Sequence, residues 1–207
     1  MERLYIGISG LIGVGKTTIA RSLAEKLSVP VYFEPTDIDN EYLADFYKDM
    51  KSNAFPMQIY LLHRRFTQQQ QIIWSGKGGV QDRTIYEDSV FCRMLTKSGL
   101  IQERDYDTYM KLFVTLSNFM PKPNMIVHLD VSPEESLRRI GLRNRECEKS
   151  ITLEYLVDLK AAYEDFLDEI SLFIPVIRVD WNEFRPVEEV VDKIAREYIR
   201  IHDRVKV

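Results

Sequence analysis

The stretch Ile6-Gly7-Ile8-Ser9-Gly10-Leu11-Ile12-Gly13-Val14-Gly15-Lys16-Thr17-Thr18 decides how this chain folds. Arg3–Ser9 reads as a buried strand, and the apolar spacing from about Thr17 to Leu27 reads as a helix. Between them, Gly10 to Thr17 matches the pattern G-x-x-x-x-G-K-[ST]. The glycines let the backbone bend so that successive N–H groups face phosphate oxygens, and the following helix adds its positive N-terminal end. In that setting Lys16 bridges the β- and γ-phosphates of a nucleoside triphosphate, and Thr17 offers its hydroxyl to Mg²⁺. The expected triphosphate site therefore comprises Gly10, Gly13, Val14, Gly15, Lys16, Thr17 and Thr18.

Outward from this loop, short apolar runs alternate with helical patterns. Further strands are expected at Pro30–Phe33, Val80–Gln81, Asn124–Asp130 and Pro175–Asp180. Helices are expected at about Glu41–Lys51, Phe55–Trp74, Glu87–Thr96, Arg104–Phe119, Pro133–Arg143, Leu153–Ile170 and from near Val187. Such alternation implies an α/β fold with a mostly parallel sheet covered on both faces. No repeat or Pro/Gly/Ser-rich linker divides the 207 residues, so one domain over 1–207 is expected. With 28 lysines and arginines against 32 aspartates and glutamates, the chain is mildly acidic and poorly suited to a nucleic-acid polymer. The uncharged run from Leu4 to Gly15 is too short to span a bilayer, and Lys16 follows where a signal-peptide cleavage site would need small residues. Two cysteines make no disulfide framework, so a cytoplasmic, membrane-free protein is expected.

Ligands of such sheets bind beyond the carboxyl ends of the strands. The second strand ends in Glu34-Pro35, a carboxylate placed to accept the proton of an acceptor hydroxyl as a phosphoryl group arrives. Spacing alone leaves a solvated strand-end glutamate equally open. The third strand ends in Asp82-Arg83-Thr84. Asp82 is suited to Mg²⁺, directly or through water, and Arg83 to a transferring phosphoryl group or an acceptor hydroxyl; alone, the two would serve as an ion pair closing a turn. Downstream, Arg138, Arg139, Arg143 and Arg145 exceed what a helix C-terminus needs for its dipole. They read as a lid that neutralises transition-state charge and expels water. The absence of Asn-Lys-x-Asp after a later strand argues against a GTPase switch.

The order of these motifs resembles that of the deoxynucleoside kinases: phosphate loop, strand-end Glu-Pro, helical Gln, Asp-Arg-Thr, and an arginine lid followed by Leu153-Glu154-Tyr155. Asn53–Arg65 and Asp82–Asp88 are most similar to the deoxyadenosine/deoxyguanosine kinase branch. The resemblance runs from Ile6 to the last helix. It implies a three-layer P-loop kinase fold, with a five-stranded parallel sheet, helices on both faces and an arginine-rich lid over about 139–150. The implied reaction carries the γ-phosphoryl of ATP to the 5′-hydroxyl of a deoxynucleoside, deoxyadenosine or deoxyguanosine favoured and deoxycytidine possible.

The resemblance also implies roles. Glu34 would be the general base, with Arg83 and Lys16 the other catalytic groups. Tyr47 and Glu148 would hold the 3′-hydroxyl. Gln58 would read the base edge, with Arg65 and Asp88 as a pair beside it. Arg139, Arg143 and Arg145 would be the lid arginines on ATP, and Tyr155 a tyrosine after the lid. Thr17 and Asp82 would serve Mg²⁺, although vertebrate members carry Glu where this chain has Asp82. A homodimer is implied, and Tyr106, Met110, Phe113 and Phe119 could supply apolar surface for it. The alternatives are a nucleoside monophosphate kinase of the thymidylate kinase type and a non-enzymatic P-loop nucleotide-binding module. The intact Lys16, Glu34 and Arg83 argue against the module.

Overall fold

The computed structural model describes residues 4–34 and 40–205, with side chains described to Ile201. Pro35, the second half of the Glu-Pro motif, lies outside the described residues. Five strands form one parallel sheet: β1 (Tyr5–Gly10), β2 (Val31–Tyr32), β3 (Gly79–Asp82), β4 (Met125–Asp130) and β5 (Val176–Asp180). Their order is β2-β3-β1-β4-β5. Every residue of β1 and β3 is buried, so helices must cover both faces of these central strands. Helix α1 (Lys16–Leu27) packs against the last helix, α8 (Val187–Val205). The other layer joins α2 (Leu43–Lys48), α3 (Met50–Trp74), α4 (Ile85–Lys97), α5 (Glu103–Asn118), α6 (Pro133–Arg143) and α7 (Leu153–Ile170). The expected five-stranded parallel α/β architecture is the one found.

Strand order explains the position of the site. The strand order reverses at β1, whose parallel neighbours are β3 on one side and β4 on the other, and this switch point opens a crevice at the carboxyl ends. Strands β2, β3 and β1 lie side by side, so Glu34, Asp82-Arg83 and the loop from Gly10 to Lys16 emerge next to one another.

Local chemistry moved two helix boundaries from their expected places. The break expected between Lys51 and Phe55 lies at Asp49, whose side chain caps α3 by accepting from Ser52 N at 3.2 Å. Helix α3 then continues through Pro56, which leaves one carbonyl without its usual donor. Helix α4 begins at Ile85 rather than Glu87, placing Glu87 and Asp88 in its first turn, where the dipole favours carboxylates.

Gly78 shows how tightly the sheet is seated. Its φ is +73°, and a Cβ there would collide with the Leu4 carbonyl oxygen. Gly99 has a similar φ of +70° but nothing within 4 Å of such a Cβ. Gly99→Ala should therefore cost only backbone strain, about 1–3 kcal/mol. Gly78→Ala should cost clearly more, because the backbone at the start of β1 must also move. Urea midpoints of the two variants measure the difference; equal losses would contradict this packing.

Candidate active site

The loop from Gly10 to Lys16 needs its glycines: Gly10, Gly13 and Gly15 have φ of +142°, +76° and +93°. Lys16 is buried beneath the loop, its Nζ donating to the carbonyls of Gly10 (3.2 Å) and Leu11 (2.6 Å). Burial, helped by Arg83, lowers the Lys16 ammonium to about 8, against the pull of Asp82, Glu34 and Glu87. Thr17 Oγ1 donates to Asp82 Oδ2 at 2.7 Å. The other carboxylate oxygen of Asp82 is buried and has no hydrogen-bond partner. Burial raises the Asp82 pKa; Lys16 opposes this and Glu34 adds to it. Thr18 is exposed on the first turn of α1.

Glu34 is held by two arginines. Arg65 Nη2 donates to one carboxylate oxygen, and Arg83 Nε donates to the other at 2.9 Å. Its side chain remains 30% exposed toward the cleft. Burial by itself would raise its pKa, but Arg83, Arg65 and Lys16 outweigh that and hold it down at about 2. Arg65 in turn pairs with Asp88, and both side chains are almost completely buried. The pair inferred from sequence is therefore assembled, and it shares its arginine with Glu34. Gln58, on the same helix as Arg65, is buried with its Oε1 unpartnered. Tyr47, Glu148 and Tyr155 line the same cleft as Glu34, Gln58 and Arg83.

The arginines expected to form a lid divide into two kinds. Arg143 grips Glu148 with Nη2 at 2.5 and 2.6 Å from its two oxygens, and Arg145 lies 3.6 Å from the same carboxylate. Both line the cleft. Arg139, expected beside them, is placed differently. It is buried, and its guanidinium donates to Glu135 and to the carbonyls of Val14, Trp181 and Asn182. Asn144, in the left-handed region at φ 52°, ends α6 between Arg143 and Arg145.

Two site residues had no place in the sequence reading. Arg83 Nη1 donates to Glu87 and, at 2.6 Å, lies against the hydroxyl of Tyr163. Tyr163 also donates to Glu87 and contacts Gly10 O at 3.1 Å, while Gly10 N donates to Glu87 at 3.4 Å. The spacing of Arg83 and Glu87, four apart at a helix start, was a legible signal. Tyr163, far away in sequence on α7, offered none. Beneath this network His128 lies 5.3 Å from the Tyr163 ring and 2.9 Å from Ser9 Oγ, and burial holds its imidazole neutral, at about 3.

A phosphate loop, a strand-end carboxylate facing it and a cleft ending in a buried Arg–Asp pair suit phosphoryl transfer to a small polar acceptor. A model of the deoxynucleoside kinase family matches residues 6–202. The chain belongs to the deoxynucleoside kinase family. It is 61% identical over 198 residues to a deoxyadenosine kinase of Dictyostelium discoideum, covering 96% of this chain and 80% of that one. A deoxyadenosine/deoxycytidine kinase of Bacillus subtilis is 35% identical, with 97% and 94% covered. Among solved structures, a deoxyadenosine kinase from M. mycoides with dCMP and dCDP bound superposes with a TM-score of 0.82 at 29% identity, covering 94% of this chain and 98% of that one. The chain is an ATP-dependent deoxynucleoside kinase.

The depressed pKa of Glu34 carries a consequence for this kinase. Its ion pairs contribute stability in full above the ordinary carboxylate value of 4.5, and that contribution disappears as pH falls through about 2. The stability advantage of wild type over Glu34→Gln should therefore shrink between about pH 6 and about pH 3. Denaturant midpoints at the two pH values test this. An unchanged difference would mean that the arginines do not hold Glu34 ionised.

Proposed function

We propose that this kinase phosphorylates the 5′-hydroxyl of purine deoxynucleosides, deoxyadenosine or deoxyguanosine first, with deoxycytidine accepted and thymidine poor. The observation that supports this best is the carboxylate of Glu34, shared between Arg83 on the phosphate side and Arg65 on the side of the buried Arg–Asp pair. A nucleoside monophosphate kinase would need a cation to receive an acceptor phosphate where Glu34 stands. The base edge would meet Gln58, whose amide offers both a donor and an acceptor, with Arg65 and Asp88 behind it. Tyr47 and Glu148 would hold the 3′-hydroxyl.

Glu34 takes the proton of the 5′-hydroxyl in this reading. A carboxylate held at about 2 is a weak base. Phosphates bound by Lys16 and Arg83 compete for the same cations and return basicity to Glu34 as the phosphoryl group arrives. Arg143 and Arg145 close the other side and meet the charge that spreads over the phosphoryl oxygens. Mg²⁺ suits the pair Thr17 and Asp82: two oxygens on one side, one of them buried without a partner, leave the remaining coordination to phosphates and water. The ion would neutralise charge on the donor phosphates. The working form is a cytoplasmic homodimer, for which exposed Leu112, Val114 and Phe119 at α5 offer apolar surface.

Glu34→Gln should lower turnover by about 10²–10⁴-fold, the usual loss on removing a general base. Nucleoside affinity by calorimetry should stay within a few-fold. Turnover within about tenfold of wild type would exclude the base assignment.

Arg65→Met with Asp88→Ala should raise kcat/KM for thymidine relative to deoxyadenosine, because the charged pair fills and polarises the space beside the base. Arg65→Met alone should be less stable than the double variant, since it strands Asp88; breaking a buried pair costs about 3–5 kcal/mol. A wild type that already uses thymidine as well as deoxyadenosine would contradict this pocket.

A further inference from the structure

We propose that Ser136, Arg139 and Trp181 are positioning residues that set the direction of the phosphate-binding N–H groups by holding two loop carbonyls outward. The inference rests on the proposed role of Gly10–Thr17 in binding the ATP phosphates.

The geometry is an outer rail along the loop. Ser136 Oγ, on α6 and completely buried, donates to Ile12 O at 2.6 Å. One turn further along α6, Arg139 Nη1 donates to Val14 O at 3.2 Å. The same carbonyl accepts a second hydrogen bond, from Trp181 Nε1 at 2.9 Å. Trp181 is itself fixed: its N donates to Asp130 O at the end of β4, and its carbonyl accepts from Arg139 Nη2 at 2.7 Å. Arg139 lies over the Phe184 ring at 4.1 Å.

The described peptide bonds are all trans, and in a trans peptide the C=O and the following N–H point in opposite directions. Pinning the Ile12 carbonyl outward therefore aims the Gly13 N–H inward, and pinning the Val14 carbonyl outward aims the Gly15 N–H inward. From the other side Lys16 Nζ gathers the carbonyls of Gly10 and Leu11. The loop is thus gripped alternately, from beneath by Lys16 and from outside by α6 and the exit of β5. Close packing allows this: a Cβ on Gly13 would press against Ile140 of α6 at 2.8 Å. Glycines permit the loop many shapes, and these donors select one before phosphate binds.

Ser136→Ala deletes one donor and keeps the packing nearly intact; Trp181→Phe deletes one donor and also trims a buried ring. The probe is inorganic tripolyphosphate, which has neither base nor sugar, used as a competitor of ATP. In each variant the inhibition constant of tripolyphosphate and the KM for ATP should rise together by about 2- to 10-fold, the worth of one hydrogen bond. The KM for deoxyadenosine should stay at its wild-type value, and kcat at saturating ATP should stay close to it. If Trp181→Phe fails to fold, Ser136→Ala alone decides. A rise in the ATP constant without one for tripolyphosphate would overturn the proposal in favour of a contact with the adenosine part. Unchanged constants in folded variants would overturn it as well. If tripolyphosphate does not compete with ATP in the wild-type enzyme, the phosphate-loop assignment itself falls, and this inference with it.

Discussion

One guanidinium organises the site. Arg83 follows β3 directly, has a left-handed backbone at φ 66° and is buried. A non-glycine residue in that region costs about 1–3 kcal/mol and persists only where its surroundings fix it. Here the surroundings are specific: Glu34 takes Nε, while Glu87 and the Tyr163 hydroxyl take Nη1. A buried cation without such partners would be far more costly than the strain. Through Glu87 and Tyr163 the same group reaches both the N–H and the carbonyl of Gly10, where the phosphate loop begins. Donor and acceptor sides of the cleft are therefore built around one shared ion.

The charges in the cleft form a chain rather than isolated pairs. Lys16, Arg83 and Arg65 alternate with Asp82, Glu87, Glu34 and Asp88. In such a chain the protonation of Lys16, Glu34 and Asp82 depends on the neighbouring charges. Anionic phosphates entering beside Lys16 and Arg83 would alter Glu34 without touching it. In the proposed function, discrimination at the base end and basicity at the hydroxyl would be coupled in the same way, because Arg65 belongs to both pairs. At the mouth, Glu148 holds Arg143 and Arg145, so the residue proposed to bind the sugar also restrains the two arginines proposed to close over the phosphates.

Local pattern made the sheet, the phosphate loop and the strand-end carboxylates legible in the sequence. Each depends on a few neighbouring residues: glycines before Lys16, alternating apolar runs, Glu34 and Asp82 at strand ends. The helix break at Asp49 was not legible, because capping competed with Pro56 and the cap prevailed. The surroundings of Arg139 were not legible, because helical spacing gives a face but not what packs on that face; Trp181, the covering residue, follows another strand. Tyr163 was invisible for the same reason, since its hydroxyl meets Arg83 only through tertiary packing of α7.

The control of Glu34 by Arg83 is tested most directly by the pH dependence of kcat/KM for deoxyadenosine in wild type and in Arg83→Gln. With ATP kept well below its KM, so that the profile reports the enzyme before phosphates bind, the wild-type acidic limb should lie below the ordinary carboxylate value of 4.5, because the arginines and Lys16 hold Glu34 down. Removing the Arg83 charge should lower the rate and also move that limb upward, toward the ordinary value. A variant that loses rate with its acidic limb unmoved would show that Arg83 does not govern the proton acceptor.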